Sequence, residues 1–242
     1  MVTIYCVASI KGGVGKTTIA GNLGVTMARA RRRVLIIDAD IANSSMGAVL
    51  GFGERPVTLH DLLAGKGEAS KAIYEIYGAH VLPSGPTISG FLRADPARLK
   101  SIVNDVAREY DCVIIDTPPG ISKYSLAPLK LCDGVLIVVT PDQSAIDAAA
   151  KLEAIAEVSG VKVKGVIVNK VVRPSFLGKL FGGKKTSVRA EIQRRVKSPI
   201  IGVIPEDRAV TEAARLRRPV VLLKPKSVVS RAFYVLAGKL IA

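Results

Sequence analysis

The sequence predicts an α/β protein with a mostly parallel, twisted sheet and helices on both faces. Short apolar runs rich in β-branched residues recur along nearly the whole chain, and helical patterns fill the intervals between them. The runs are continuous rather than alternating, which is typical of strands that are covered on both faces. Alternating strands and helices form right-handed βαβ units, and these units build a parallel sheet.

The predicted strands are VTIYCVA (2–8), RVLIID (33–38), HVLP (80–83), CVIID (112–116), GVLIVV (134–139), VKGVIV (163–168) and PIIGVI (199–204). One helix is predicted from Asp95 to about Glu109, because aspartate is a good N-cap and Pro96 suits the first helical position. Two more helices are predicted after Asp142 and after Ser227.

Length and composition restrict the class of protein. A chain of 242 residues is expected to form a single domain over 1–242, and its 49% hydrophobic residues exclude a disordered chain. No apolar run is long enough to span a bilayer, and the N-terminus has no basic leader followed by an apolar segment. Cys6, Cys112 and Cys132 lack C-x-x-C spacing, so we expect a cytoplasmic protein in which Cys6 and Cys112 are inert, buried thiols.

The segment KGGVGKTT (11–18) follows the first predicted strand and opens a helix, which is the context of a phosphate-binding loop. Its glycines let backbone N–H groups approach phosphate oxygens, and the helix N-terminus adds positive potential. Lys16 would reach the β- and γ-phosphates, and the Thr17 hydroxyl would ligate Mg²⁺. The predicted nucleotide-binding residues of the loop are Lys11, Gly12, Gly13, Val14, Gly15, Lys16, Thr17 and Thr18.

The loop differs from the common form G-x-x-x-x-G-K-[ST], because Ile10 occupies the first position and Lys11 precedes the double glycine. In this feature the chain resembles the deviant P-loop ATPases of the MinD/ParA class, and archaeal MinD-like cell-division ATPases in particular. Further similar segments are TLHDLLAG (58–65), LRADPARL (92–99) and VVTPDQSAIDAAAKL (138–152). The resemblance implies a P-loop NTPase fold of the SIMIBI type, and it covers the chain except for an insertion at about 171–187.

The resemblance also implies a mechanism. It implies a homodimer that forms when ATP binds, in which Lys11 of each subunit contacts the ATP held by the other. Such a lysine acts like an arginine finger, because it neutralises charge on the transferring phosphoryl group only after association. Hydrolysis would be slow until an unidentified activator protein or a surface completes the site. The family positions cell-division, chromosome or surface machinery.

Two acidic strand ends extend the predicted site. RVLIIDAD places Asp38 and Asp40 at the carboxyl end of a strand, where ligands bind in such sheets, and CVIIDTPPG ends in Asp116. The resemblance implies that Asp38 and Asp116 accompany Thr17 at Mg²⁺. Asp40 would orient the attacking water and join Lys11 and Lys16 as a catalytic residue. Residues 117–120 would form a switch loop that senses the γ-phosphate.

The base is predicted to be adenine, with ATP or ADP and Mg²⁺ as ligands. VIVNK ends in Asn169, whose amide would pair with the adenine edge, as in the family. VIPEDRAVTEA matches the P-E-D segment of the family, so Pro205, Glu206 and Asp207 would border the base; alternatively, Glu206 and Asp207 only begin the next helix. GTPases normally carry N-K-x-D at this strand end, whereas this chain reads N-K-V-V.

Most of the excess charge lies in one segment, 162–198. From Lys162 to Lys197 the chain has eleven Lys or Arg and one acid, Glu191, which gives +10 of the net +15. This segment includes the insertion, in which apolar side chains stand among lysines. It would pack on its own domain or on a protein partner, bind an anionic membrane surface in the ATP state, or bind DNA. Contacts to a membrane or DNA would include Phe176, Leu180, Phe181, Lys184 and Lys185, and the main contacts to DNA would be Arg189, Arg194, Arg195 and Lys197.

The C-terminal end bears on membrane attachment. The chain stops at Ala242 without the amphipathic C-terminal helix of bacterial MinD, so we expect no membrane targeting of that kind. The insertion is too small to anchor a monomer and would have to act as a pair in the ATP dimer.

Two further functions are compatible with the same fold. One is a metal-cluster assembly or carrier ATPase, which needs paired cysteines near the dimer interface. The second is a ParA-like partition ATPase that binds DNA non-specifically, for which the basic segment 162–198 would supply the contacts.

Overall fold

The computed structural model describes residues 2–172 and 188–241. Its strands are β1 (Thr3–Ala8), β2 (Val34–Asp38), β3 (Tyr74–Ile76), β4 (Ala79–Leu82), β5 (Cys112–Asp116), β6 (Gly134–Val139), β7 (Val163–Val171) and β8 (Ile200–Pro205). Every predicted strand is present. Strand β3, which is three residues long, was not predicted, and β7 extends past the predicted end at 168.

The helices are α1 (Lys16–Arg29), α2 (Met46–Leu50), α3 (Leu59–Leu63), α4 (Ile88–Arg93), α5 (Leu99–Ala107), α6 (Lys123–Leu129), α7 (Gln143–Val158), α8 (Val188–Arg195), α9 (Arg208–Arg215), α10 (Val220–Leu223) and α11 (Val228–Ile241). The helix predicted over 95–109 has two parts. Asp95 caps a 3₁₀ turn by accepting a hydrogen bond from the Ala97 N–H at 3.0 Å, and α5 follows from Leu99.

The eight strands form one sheet in the order β3-β4-β2-β5-β1-β6-β7-β8. All neighbouring strands are parallel except β3 and β4. Strand β1 lies between β5 and β6, and in such sheets a ligand binds at the carboxyl ends of the strands where the order reverses. In register, Asp38 lies opposite Asp116, and Asp116 lies opposite Val7 of β1. The sheet therefore brings the predicted acids and the start of the P-loop to one edge.

Side chains of β1 point alternately into two cores, one on each face of the sheet. Cys6 and Ala8 belong to a core that includes residues of α5 and α7. Tyr5 and Val7 belong to the other core, which includes residues of α1 and α11. The predicted fold class, an α/β protein with helices on both faces of a mostly parallel sheet, is confirmed.

The predicted insertion at about 171–187 lies almost entirely outside the described residues. This applies to Phe176, Leu180, Phe181, Lys184 and Lys185, so the three possible roles of this segment stay predictions. Among residues 2–172 and 188–241, no helix combines the length and the apolar character needed to cross a bilayer.

Candidate nucleotide-binding site

The predicted P-loop connects β1 to α1 and has a backbone that only glycine tolerates at its last turn. Gly15 has φ of 96°, and a Cβ at this position would lie 2.3 Å from Nδ2 of Asn169. No side chain caps α1, and its first turn contains no acid. The backbone N–H groups at the start of α1 are therefore available to an anion, which the helix dipole also favours.

Lys16 is a buried cation at this helix start, with only 7% of its surface exposed. Within the described part of the chain it makes no hydrogen bond and no ion pair through its side chain. Burial lowers the pKa of Lys16, whereas the charges of Asp116 and Asp40 oppose this change. A phosphate group would supply the negative charge that this position lacks.

Asp38 and Asp116 form a buried acidic pair on adjoining strands. Burial raises the pKa of Asp38 to about 7, although the Ser44 hydroxyl donates a hydrogen bond to its carboxylate at 2.8 Å. Burial and the nearby Asp38 raise the pKa of Asp116 well above its usual range, while the charge of Lys16 opposes the rise. Among the described residues, neither carboxylate oxygen of Asp116 has a hydrogen-bond partner. Two buried acids side by side, one of them with both oxygens unsatisfied, fit a bound cation.

The residues present fit Mg²⁺. Thr17 adds a hydroxyl to Asp38 and Asp116, and its Oγ1 accepts a hydrogen bond from Ser45 at 3.0 Å. Oxygen ligands are those that Mg²⁺ prefers, and the ion usually binds one or two carboxylates together with water and substrate phosphates. Consistent with that pattern, the described residues contain no group of three or more His, Cys, Asp or Glu arranged to hold a metal by themselves.

Asp40 is held in a turn beside this pair. Its Oδ1 accepts a hydrogen bond from the Asn43 N–H at 3.1 Å, and its own N–H donates to Asp38 at 3.2 Å. Burial raises the pKa of Asp40, and Lys16 opposes the change. The carboxylate therefore has a fixed position at the edge of the sheet, as a group that orients water requires.

Lys11 has two partners within its own chain. Its Nζ lies 2.6 Å from Oδ1 of Asp142 and 2.7 Å from Oγ of Ser144, and both members of the ion pair are partly exposed. This contact holds the pKa of Asp142 well below its usual range. Asp142 also caps α7 by accepting a hydrogen bond from the Ala145 N–H at 3.0 Å. Sequence reasoning missed both partners, although an N-capping acid at the end of β6 lies at the same sheet edge as the P-loop.

The end of β7 contacts the back of the P-loop. Asn169 donates from Nδ2 to the Val14 carbonyl at 2.8 Å, and Lys170 donates from Nζ to the Gly13 carbonyl at 2.9 Å. Here the Asn169 amide stabilises the loop, and its predicted contact with adenine stays a prediction. Lys170, which sequence reasoning did not assign to the site, also lines a cavity of about 330 Å³ beside the loop.

The P-E-D segment follows β8 along the same edge. Pro205 ends β8, and Glu206 lines the cavity beside the P-loop. Asp207 caps α9, because its Oδ1 accepts a hydrogen bond from the Ala209 N–H at 2.9 Å. The Asp207 side chain therefore begins the following helix, which is the second of its two predicted roles.

The predicted switch loop packs against the P-loop. The Thr117 hydroxyl donates to the Val7 carbonyl at 3.0 Å, and the Gly120 N–H donates to the Ile10 carbonyl at 2.9 Å. Gly120 has a positive φ of 85°. Residues 117–120 therefore connect the start of the P-loop to α6, which begins at Lys123.

The α8 surface, defined here as Arg189, Arg194, Arg195 and Lys197, lies against α7 and is exposed. Buried Ile192 belongs to the core that α7 lines, and Glu153 of α7 accepts hydrogen bonds from the Lys197 and Ser198 N–H groups at 2.8 and 2.7 Å. The ion pairs of this surface are long, Arg195 with Asp147 at 3.9 Å and Lys197 with Glu157 at 3.8 Å.

The sequence and the fold both match known proteins. A ParA family model, described as NUBPL iron-transfer P-loop NTPase, matches residues 1–241. The chain belongs to the ParA family of P-loop NTPases. An uncharacterized ATP-binding protein of Methanocaldococcus jannaschii is 38% identical to this ParA-family chain over 242 residues, which are 100% of this chain and 88% of the relative.

Two solved structures of MinD proteins share the fold. The septum site-determining protein MinD of Pyrococcus horikoshii OT3, complexed with Mg-ADP, superposes with a TM-score of 0.88 and 28% identity, covering 99% of this chain and 96% of that one. The MinC:MinD cell division protein complex from Aquifex aeolicus superposes with a TM-score of 0.85 and 28% identity. This match also covers 99% of this chain and 96% of that one. The ParA-family fold of this chain therefore has relatives that hold a magnesium nucleotide and a protein partner.

Proposed function

We propose that this ParA-family protein is a Mg²⁺-dependent ATPase that dimerises when it binds ATP and thereby positions cell-division, chromosome or surface machinery. The observation that carries the proposal is the buried group of one lysine and three aspartates at the start of α1. Lys16 and Asp38, Asp40 and Asp116 are each at most 9% exposed. Burying these charges is costly unless a ligand of matching charge completes them.

Each residue of the group has a distinct part in the proposed reaction. Lys16 and the N–H groups at the start of α1 bind the phosphates, and Thr17, Asp38 and Asp116 hold Mg²⁺. When bound, the ion would offset negative charge on the phosphate oxygens. Asp40 orients the attacking water, and burial raises its pKa, which makes its carboxylate a better proton acceptor.

Lys11 makes turnover depend on association. It lies at the exposed edge of the site, where its partners Asp142 and Ser144 are also accessible. In the proposed cycle Lys11 leaves these partners and contacts the ATP of the second subunit. The exposed ion pair that breaks contributes little, about 0–1 kcal/mol, so the new contact with phosphate readily offsets its loss.

The deciding experiment uses Asp40→Ala. We expect this variant to bind ATP with Mg²⁺, to lose turnover and to accumulate as a dimer, because the water is no longer oriented while the interface stays intact. ATP binding, phosphate release and light scattering after size exclusion measure the three properties. A variant that binds ATP but stays monomeric would contradict the dimerisation mechanism, and unchanged turnover would contradict the role of Asp40.

The family description also names iron transfer, which makes a metal-cluster carrier the second candidate. Such carriers hold a cluster on paired thiolates. Here Cys6 and Cys112 are buried on strands, and only Cys132 is partly exposed. Reconstitution with iron and sulfide separates the candidates: absorbance of a protein-bound cluster would favour the carrier, and its absence would favour the positioning ATPase.

The surface that the protein recognises is tested by sedimentation with anionic liposomes and with DNA, each in ADP and in ATP. The wild type is compared with a Phe176→Ser/Phe181→Ser double variant. Membrane attachment through paired insertions predicts ATP-dependent sedimentation with liposomes that the double variant loses. DNA binding predicts sedimentation with DNA that falls steeply with salt and persists in the double variant.

A further inference from the structure

Two of the three cysteines are brought together by the fold, one on strand β1 and one just before strand β6. Cys6 is fully buried on β1 and lies opposite Val135 of β6. Cys132 lies on the segment that enters β6, where the Asp133 N–H donates to the Ile4 carbonyl at 2.8 Å. The two side chains are near enough for each to influence the pKa of the other. The fold therefore pairs residues that are far apart in the sequence.

The end of α6 holds both sulfur atoms. The Cys6 thiol donates to the Pro128 carbonyl at 3.1 Å, and the Cys132 thiol donates to the Leu129 carbonyl at 3.2 Å. The two acceptors are consecutive residues in the last turn of α6. Because adjacent carbonyls anchor the two thiols, the sulfur atoms stay close together.

The two cysteines differ in access and in reactivity. Cys132 is partly exposed, and contact with the Cys6 side chain lowers its pKa, with a smaller contribution from the Gly134 N–H. Burial raises the pKa of Cys6 well above its usual range. An oxidant from solvent therefore meets Cys132 first, and Cys6 is placed to react second. Cys112 is a natural control, because it is buried on β5 and burial raises its pKa to about 12.

We propose that Cys6 and Cys132 form an oxidative modification site at which a hydroperoxide converts the thiol pair into an intramolecular disulfide. In the first step the Cys132 thiolate attacks the outer oxygen of the hydroperoxide. The O–O bond breaks, the alcohol or water leaves after taking up a proton, and Cys132 becomes a sulfenic acid. In the second step the Cys6 sulfur attacks the Cys132 sulfur, the S–O bond breaks, and water leaves with the Cys6 proton.

Atoms and electrons balance over the two steps. The two thiols lose two protons and two electrons, and the hydroperoxide takes them up and is reduced to an alcohol and water, or to two waters for hydrogen peroxide. The disulfide connects β1, which continues into the P-loop, with the segment that follows α6. The proposal requires no bound nucleotide and is therefore independent of the proposed function.

The test treats the reduced, full-length protein with hydrogen peroxide, blocks the remaining thiols with iodoacetamide under denaturing conditions, and measures the intact mass. We expect the loss of two hydrogen atoms, one alkylated thiol instead of three, and a peptide that links Cys6 to Cys132. Dithiothreitol should restore three thiols. Three alkylated thiols after treatment, or a link that includes Cys112, would overturn the proposal.

Single variants identify the order of the two steps. Cys112→Ser should form the disulfide at the wild-type rate. Cys6→Ser should stop at a Cys132 sulfenic acid, which dimedone traps. Cys132→Ser, at the partly exposed position, should leave Cys6 at least about 10-fold slower to react than the wild-type pair, because a buried thiol has little thiolate. Equal rates in Cys132→Ser and wild type would contradict the assigned order, whether or not the Cys6→Ser protein folds.

Discussion

The P-loop edge and the α8 surface are both charged, but burial gives their charges opposite properties. At the P-loop edge, Lys16 and Asp116 are almost fully buried, and neither has an ion-pair partner within the described part of the chain. On the α8 surface, Arg195 and Lys197 are exposed and lie 3.9 and 3.8 Å from carboxylates. Stability and activity should therefore depend strongly on each buried charge and on its protonation. Each exposed charge contributes little by itself, and salt screens it.

The largest effect is expected for the pH dependence of stability at Asp38. Its folded-state pKa of about 7 lies above its ordinary value of 3.8, so the folded state binds this proton more tightly than the unfolded state. The free energy of unfolding should therefore fall as pH rises from about 4 to about 7, by up to about 4 kcal/mol. Asp38→Asn should remove this part of the decrease, as measured by urea unfolding at several pH values.

The control for Asp38 is the exposed acid Asp105 on α5. Asp105→Asn should follow the wild-type pH dependence, because folding does not bury the Asp105 carboxylate. If Asp38→Asn loses stability between about pH 4 and 7 as steeply as the wild type does, the buried acid is not the cause.

The second largest effect is expected for Lys11→Ala, which tests whether the partly exposed Lys11 is as necessary for turnover as the buried Lys16. We expect it to retain nucleotide but to lose ATP-induced dimerisation, with turnover reduced on the order of 100-fold or more. Lys100→Ala on α5, also exposed, is the matched control and should behave as the wild type. Unchanged turnover in Lys11→Ala would exclude its action on the second subunit.

A third prediction applies the same comparison within the α7–α8 contact. Glu153 is only 8% exposed and accepts two backbone hydrogen bonds, so Glu153→Ala should lower the free energy of unfolding by about 2 kcal/mol. The exposed ion pairs nearby should matter less: Arg195→Ala and Lys197→Ala should each change it by at most about 0.5 kcal/mol. Chemical denaturation measures the free energy of unfolding of all three variants. Equal losses in the three would show that burial of Glu153 does not decide its contribution.

The smallest effect is expected for Asp142→Asn. Asparagine also caps helices, so α7 should keep its N-terminus while Lys11 loses its charged partner. We expect ATP-dependent dimerisation to tighten by up to about fivefold, which corresponds to the value of up to about 1 kcal/mol for an exposed ion pair. Ser144→Ala should give a smaller shift. Weaker dimerisation of Asp142→Asn, measured by sedimentation velocity, would indicate that Asp142 supports the dimer.

The sequence by itself determined the strand pattern, the P-loop and the acidic strand ends. Continuous apolar runs, a glycine-rich turn and a capping aspartate are local patterns, and they are read from residues near each other in the chain. The same patterns placed Asp38 and Asp116 at one edge, because parallel strands end on the same side. Strand β3 was missed because three residues give too short a pattern.

Only the tertiary structure decided which distant residues meet. The contact of Lys11 with Asp142 spans 131 positions and that of Asn169 with Val14 spans 155, and both depend on β6 lying next to β1 and β7 next to β6 in the sheet. The same strand order pairs Cys6 with Cys132. Burial likewise sets the pKa of Asp38, because desolvation comes from the whole surrounding core and not from neighbours in the sequence.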